Sequence, residues 1–302
     1  MRGGCFKAAL SFLTVAAFTG GCAPTVGKLP PVTLDTSGTA ACVECADLGA
    51  VLEGAVAADG RVRPRRLPAF AARLDAQLKR LAVTGPAVTP RLFSSEGGRL
   101  AYWYNARTAW ALKLLVLYSE AFAAAEEAAG GLPPGVGWLA RRQLKSRGIN
   151  AGSFQTTEFP LDGRTMTLEG IDALLADRFG WRVLVAAPGV APDRAPLPTG
   201  PFSADDAAGR AARRFEGFID DDSRLIIDVA SMRVRVPPVL WRFREQLIAR
   251  HNETYNTHGA TLTTALLRYV RGSAHRRLQD AVGYGCVAAA PARIPPLEKR
   301  KR

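Results

Sequence analysis

Histidine is scarce in this chain: three occur in 302 residues, and His251, His258 and His275 all lie near the C-terminus. That scarcity removes the commonest general base and most ordinary routes to acid/base or nucleophilic catalysis at neutral pH. There is no Gly-x-Ser-x-Gly elbow, so nothing local supports a Ser-His-Asp site drawn from Ser153, His251 and Asp228. Asn252, Asn256 and Gly259 predict a loop around His251 and His258, with the histidines on the surface. Zinc would need a ligand beyond Cys42, Cys45 and Cys286, and no histidine is close to any of them in sequence, so neither a metal nor a cofactor is expected. Beyond the N-terminus no apolar run approaches the roughly 20 residues of a spanning helix, which predicts a soluble body. Internal repeats are also lacking.

What is present begins with an export signal. Arg2 and Lys7 supply a positive start, Ala8 to Phe18 an apolar run, and Thr19, Gly20 and Gly21 small residues before Cys22. Residues 1–21 are therefore read as a signal peptide. The order resembles the lipobox of bacterial lipoproteins, with Thr19 where those proteins prefer Leu; cleavage near Gly21 or Ala23 without lipid is the other reading. The resemblance implies lipid attachment at Cys22, membrane lipid as a partner, and a cell-envelope location. Ala23 as second mature residue fits an outer membrane, on its periplasmic face, where the host has one. Ala23 to Ala41, with Pro24, Pro30 and Pro31, lacks periodicity and reads as a semi-extended tether.

The net charge is +13, and removing Arg2 and Lys7 with the signal leaves 13 − 2 = +11. Thirty-three of the 40 basic residues are Arg, which points to GC-rich coding rather than selection for phosphate contacts. Arg61, Arg63, Arg65 and Arg66, or Arg141, Arg142, Lys145 and Arg147, read first as solvated faces. Their functional alternative is an anionic envelope component such as lipid headgroups or wall polymer. Basic residues recur throughout instead of gathering on one aromatic-rich element, so nucleic acid is not an expected partner.

At 48% hydrophobic and 22% charged residues the remainder has the balance of a core-forming globular protein. Phe70, Leu74, Leu78 and Leu81 make one helical stripe, with Gln77 and the charged residues placed off it. Arg99 to Tyr118 is predicted as a central buried helix, Ser119 to Ala129 as a second helical piece, and Gly130 to Gly135 as a loop. Phe154 to Phe159 and Arg164 to Leu168, flanking Leu161-Asp162-Gly163, predict an antiparallel hairpin. Thr167 caps a helix that ends before Gly180, and Trp181 to Ala186 is predicted as a buried strand. Five prolines mark a loop from Ala187 to Phe202; Ser203 and Asp206 then open a helix carrying Ala207, Ala211, Phe215 and Phe218. Leu225 to Val229 pairs with Met232 to Val236, a helix runs from Pro237-Pro238 through Leu247, another covers Thr261 to Val270, and the end from Val287 is loose. The expected fold is helix-rich α+β, a single domain over residues 42–286 around a small, mainly antiparallel sheet, with a basic tail at 287–302.

The run Arg99 to Ala106 resembles the signature of the family called domain of unknown function 547, Ala-Phe-Trp-Ile-Asn-x-Tyr-Asn-Ala on a helix. Ala101, Trp103, Asn105 and Ala109 match it; Arg107 stands for its Tyr and Thr108 for its second Asn. Gly163-Arg164, Thr167-Leu168-Glu169, Ile171-Asp172 and Arg182-Val183 are similar to its second block, and Trp241 with Phe243 to its third. The likeness runs from Leu67 to Ile248. It implies a cleft between the Arg99 to Tyr118 helix and the Trp181 to Ala186 segment, with Trp103, Asn105, Arg107 and Arg182 as its ligand-binding candidates. The family's His and Cys positions are vacated here: Leu184, Pro188, Gly189, Ala195 and Ala173 stand in them.

A buried amide must satisfy its donors and its acceptor, so Asn105 is read as internally hydrogen-bonded, with ligand orientation as the alternative. Tyr102 and Tyr104 join it or fill core volume. Cys42-Val43-Glu44-Cys45 has redox spacing and is able to form a disulfide within itself or with Cys286, although no thioredoxin-like unit follows it. The favoured expectation is an exported, tethered, non-catalytic binding or structural module, free of thiol or imidazole near Asn105. A thiol or imidazole within bonding reach of Asn105 would overturn that premise. The alternatives are a hydrolase or transferase with a relocated Cys286 or His251, and a thiol-disulfide protein using Cys42 and Cys45.

Overall fold

The computed structural model describes residues 31–63, 66–128, 151–191 and 193–290, without the side chains of 119–128 and 151–153. The expected export signal, Cys22, the start of the expected tether, Arg65, the expected loop from Gly130 to Gly135, the basic run Arg141 to Arg147 and residues 291–302 of the expected tail lie outside the described residues.

The elements in chain order are α1 (Ala46–Ala55), α2 (Ala71–Val83), α3 (Glu96–Ala128), α4 (Ala151–Thr156), β1 (Phe159–Leu161), β2 (Arg164–Met166), α5 (Leu168–Phe179) and α6 (Trp181–Ala186). They continue with α7 (Ala207–Ile219), β3 (Ile226–Asp228), β4 (Arg233–Val236), α8 (Pro238–Trp241), α9 (Arg244–Tyr255), α10 (Leu262–Leu267), α11 (Gly272–Asp280) and β5 (Gly285–Ala288). Short 3-10 turns, Leu67–Phe70 and Pro90–Phe93, precede α2 and α3. This is a helix-rich α+β fold. Two small sheets are present where one was expected: an antiparallel β1-β2 hairpin, and β3-β4-β5 with β3 antiparallel and β5 parallel to β4.

The centre is α3 rather than either sheet. Every residue from Leu100 to Leu112 is buried, so this helix is enclosed on all sides. Ser95 accepts a hydrogen bond from Gly98 N at 3.0 Å at its start. Gly97 is required by close approach: a Cβ there would lie 2.1 Å from the Ala204 carbonyl oxygen. The helix continues unbroken to Ala128, so Ser119 starts no second piece. Around α3 pack α2, α5 and α7, and the buried apolar residues from Leu48 to Ala281 form one cluster.

Asp162 and Gly163 both have positive φ, +53° and +70°, the backbone of the tight turn their dipeptide predicts. The Asp162 carboxylate is buried and accepts from Ala87 N at 2.9 Å and Val88 N at 3.0 Å, docking the hairpin on the loop after α2. Thr167 caps α5 by accepting from Gly170 N at 2.9 Å. Ser203 and Asp206 exchange reciprocal hydrogen bonds ahead of α7, as the capping box predicts.

Several boundaries differ from the sequence expectation. Trp181 to Ala186 is the helix α6, not a strand. Its apolar run is too short for periodicity to separate a buried strand from a buried helix, and Gly180, at φ +86°, ends α5 only to let a new helix begin at once. Phe154 lies in α4, ahead of the hairpin. The helix after Pro237 breaks at Arg242-Phe243 into α8 and α9. Helix α9 carries His251 and Asn252 on to Tyr255, where left-handed Asn256 caps it, so the predicted loop begins later. Val287 and Ala288 are not loose: they pair in parallel with Arg235 and Val236. Gln77 is on the buried face of α2, 1% exposed.

Candidate functional site: two clefts beside one helix

Helix α3 borders two clefts. The first, about 600 Å³, lies where α3 begins and meets α6, the place the aromatic-asparagine likeness pointed to. Gly97 and Leu100 form one wall, and Phe215 and Tyr269 contribute aromatic surface. Arg182, Arg268 and Arg271 line it together with Glu96 and Glu216.

Arg182 is exposed, and its guanidinium carbon sits 4.9 Å from the Tyr269 ring centroid and 5.8 Å from those of Trp181 and Phe215. Ring quadrupoles attract a cation held in this way. Among the described residues Arg182 has no carboxylate partner. Arg268 lies 5.3 Å from the Tyr269 centroid and donates to Thr254 Oγ1 at 3.2 Å, again with no carboxylate among those residues. The Arg271 guanidinium makes a long contact, 3.9 Å, to Glu216, while its backbone N–H donates to Asp220 Oδ1 at 2.8 Å. The cleft therefore offers two cations oriented by aromatic faces rather than neutralised by acids.

The second cleft, about 550 Å³, is formed by the segment before α1, the buried face of α2, and α3. Asn105 stands in it, 3% exposed. Its Oδ1 accepts from Phe202 N at 2.8 Å and its Nδ2 donates to Phe202 O at 2.9 Å and to Cys45 Sγ at 3.5 Å. Both amide N–H bonds and the carbonyl are thereby used inside the protein, as expected for a buried amide. Tyr102 donates to Leu81 O at 3.0 Å and Tyr104 to Val183 O at 2.6 Å, and burial raises both phenols far above the usual range.

The expectation that no thiol approaches Asn105 is overturned. Cys45 comes from the segment before α1, not from the positions the family resemblance singles out, so sequence alignment with that signature cannot reveal it. Gln77 Nε2 also points at Cys45 Sγ, 3.9 Å away. Burial pushes the Cys45 thiol up to about 11, against the Asn105 hydrogen bond and the Arg80 charge, which favour the thiolate. No histidine lines either cleft. His251 leans on Tyr255 in α9, with ring centroids 4.7 Å apart; His258 lies in the exposed turn after α9 and His275 on α11. Asp228 is occupied by Ser231 and Arg235. Cys286 meets Thr263 Oγ1 at 2.9 Å, and Cys42, Cys45 and Cys286 are free thiols. No metal-ligating cluster occurs among the described residues.

The four ligand-binding candidates do not converge. Asn105 faces the second cleft and Arg182 the first, whereas Trp103 and Arg107 line neither. Trp103 packs edge-on to Tyr102 at 5.0 Å in the core. Arg107 is 1% exposed, with Nε 2.6 Å from Asp172 Oδ1 and a further contact to Pro188 O. Arg194 approaches the other oxygen of Asp172 at 2.6 Å. Burial alone would raise the Asp172 carboxyl; the two guanidinium groups outweigh it and hold it below the ordinary 3.8. Arg107 is thus consumed by an internal ion cluster at the positions where the family signature would place its Tyr and its Ile-Glu pair.

No family model matches this chain, and neither a curated protein nor a solved structure does. The resemblance to the domain of unknown function 547 family rests on the residues quoted for it alone.

Proposed function

We propose that the chain is an exported cell-envelope lipoprotein, tethered through Cys22, whose folded domain binds an anionic envelope component in the Arg182 cleft without turning it over. The observation that carries this reading is the pairing of Arg182 and Arg268 with aromatic faces while neither has a carboxylate partner among the described residues. Cations so placed are oriented by the rings while still exposed, so a carboxylate or phosphate entering the cleft gains charge-assisted hydrogen bonds without first breaking a salt bridge. Phe215 and Tyr269 add a surface for the apolar or ring portion of the same ligand. A non-catalytic role for the whole domain loses its premise at the Cys45 thiol beside Asn105, so the reading at the Arg182 cleft is one of binding alone.

No helix of the described residues is long and apolar enough to cross a membrane. The decisive experiment is calorimetric titration of the purified domain with soluble phosphorylated and carboxylated envelope fragments. Binding that is lost in an Arg182→Ala, Arg268→Ala double variant with an unchanged fold supports the proposal; unchanged binding by that variant overturns it.

A further inference from the structure

The second cleft carries chemistry that the anion-binding proposal does not use. Its rim holds two sulfur atoms, Cys42 and Cys45, and they engage opposite ends of one peptide unit. Glu44 N donates to Cys42 Sγ at 3.3 Å, while Cys45 Sγ donates to Val43 O at 3.6 Å. The segment is pinned on either side of that peptide. Cys42 N donates to Thr84 Oγ1 at 3.0 Å, and Cys45 is the N-cap residue of α1. Between the pins, Val43 is 51% exposed and Glu44 is also exposed, so little packing opposes rotation of the peptide. Rotation frees Cys42 Sγ from Glu44 N and Cys45 Sγ from Val43 O, leaving Cys45 with its contacts to Asn105 and Gln77, and a turn of the two side chains then has to bring the sulfurs together.

The two sulfurs are not equivalent. Cys42 meets a backbone N–H on the exposed side of the segment, whereas Cys45 is turned inward against Asn105 and Gln77. The neighbouring wall is apolar and aromatic, with Leu92, Phe93, Tyr102 and Phe202 lining the same cavity.

We propose that Cys42 and Cys45 form a redox-active dithiol in which Cys42 attacks a disulfide of an apolar-flanked peptide or protein and Cys45 resolves the product. In the first step the Cys42 thiolate forms a bond to one substrate sulfur; the substrate S–S bond breaks and the departing sulfur takes a proton. In the second step the Cys45 thiolate attacks Cys42 Sγ, closes the intramolecular disulfide and expels the second substrate sulfur, which is also protonated. The protein gives up two electrons and two protons, and the substrate disulfide becomes two thiols. The apolar wall holds the flanking residues of the substrate, and the inward setting of Cys45 keeps it in reserve until the mixed disulfide has formed. This inference is independent of the Arg182 cleft.

The test is a redox titration of the full chain in buffers of oxidised and reduced dithiothreitol, with free thiols alkylated at each point and disulfides mapped by mass spectrometry. The expected result is one two-electron transition joining Cys42 to Cys45, unchanged in a Cys286→Ser variant. Reaction with an apolar model peptide disulfide should slow at least about tenfold in Cys42→Ser, and should stop at a stable Cys42 mixed disulfide in Cys45→Ser. Circular dichroism checks that both variants keep the fold, and the unsubstituted chain supplies the mapping whether or not they do. Persistence of both thiols across the titration, oxidation that joins either one to Cys286, or an undiminished rate in folded Cys42→Ser overturns the proposal.

Discussion

Asn105 holds the backbone of Phe202 from ninety-seven residues away, accepting from its N–H at 2.8 Å and donating to its carbonyl at 2.9 Å. A side-chain amide here stands in for a strand partner, and it fixes the proline-rich loop against α3 at the point where α7 is about to begin. Replacing Asn105 with Leu leaves a buried N–H and a buried carbonyl without partners. The expected loss is about 2–4 kcal/mol of unfolding free energy, read by urea denaturation. Asn105→Asp keeps the acceptor but loses the donors to Phe202 O and Cys45, and should also destabilise.

The ion cluster of Arg107, Asp172 and Arg194 makes a sharper demand. Asp172→Ala strands two guanidinium groups, one of them fully buried, and should cost about 3–5 kcal/mol. A triple replacement by apolar residues of similar volume should recover much of that loss, because no unpaired charge would remain. Thermal unfolding of the unsubstituted protein, Asp172→Ala and the triple variant checks both statements.

The same cluster sets a direction with pH. The Asp172 carboxyl in the folded protein lies below its ordinary 3.8, with burial opposing the shift and the two arginines enforcing it. Its contribution is fully present above the unfolded value, and it is lost as pH falls below 3.8 through the folded value. The drop in melting temperature below pH 4 should therefore be steeper in the unsubstituted protein than in the apolar triple variant.

Cys45 should alkylate slowly near neutral pH, with a rate that still climbs at pH 10, because its thiol is pushed up to about 11. Burial is the principal cause; Asn105 and Arg80 oppose it and Cys42 adds to it. Asn105→Leu removes a hydrogen bond that favours the thiolate and should move the profile still higher. Iodoacetamide labelling followed by peptide mapping measures both curves.

Cys22→Ala should shift the protein from the membrane to the soluble fraction of cells if lipid at that residue provides the anchor. Fractionation with immunodetection checks it, and retention of the variant at the membrane would remove the lipoprotein reading.

Much of the architecture was legible because local chemistry and tertiary need agree. The Asp162-Gly163 turn, the Thr167 cap, the reciprocal Ser203 and Asp206 bonds and the buried α3 each follow from a few adjacent residues. Trp181 to Ala186 defeated the same reasoning because its five apolar residues, interrupted only by Arg182, form a run too short to carry a period. Arg107 was a ligand-contact candidate through its place in the family signature, and only its distant partners Asp172 and Pro188 account for its burial. Gln77, three residues after Leu74 and three before Arg80, carried a faint signal: a polar residue at helical spacing from an apolar stripe has an internal partner to find. The meeting of Cys45 with Asn105, sixty positions apart, left no trace in either neighbourhood.

The enclosure of α3 has a consequence for how this chain comes into being. Its neighbours arrive from both directions, α2 before it and α5 and α7 after it, so no early fragment can cover its greasy surface. A polypeptide threaded outward from its N-terminus would carry α3 uncovered until residues as late as Ile219 had followed. Biogenesis outside the cytoplasm would then call for a holding chaperone during that interval, and C-terminal deletions ahead of α7 should yield protease-sensitive material rather than a smaller folded unit.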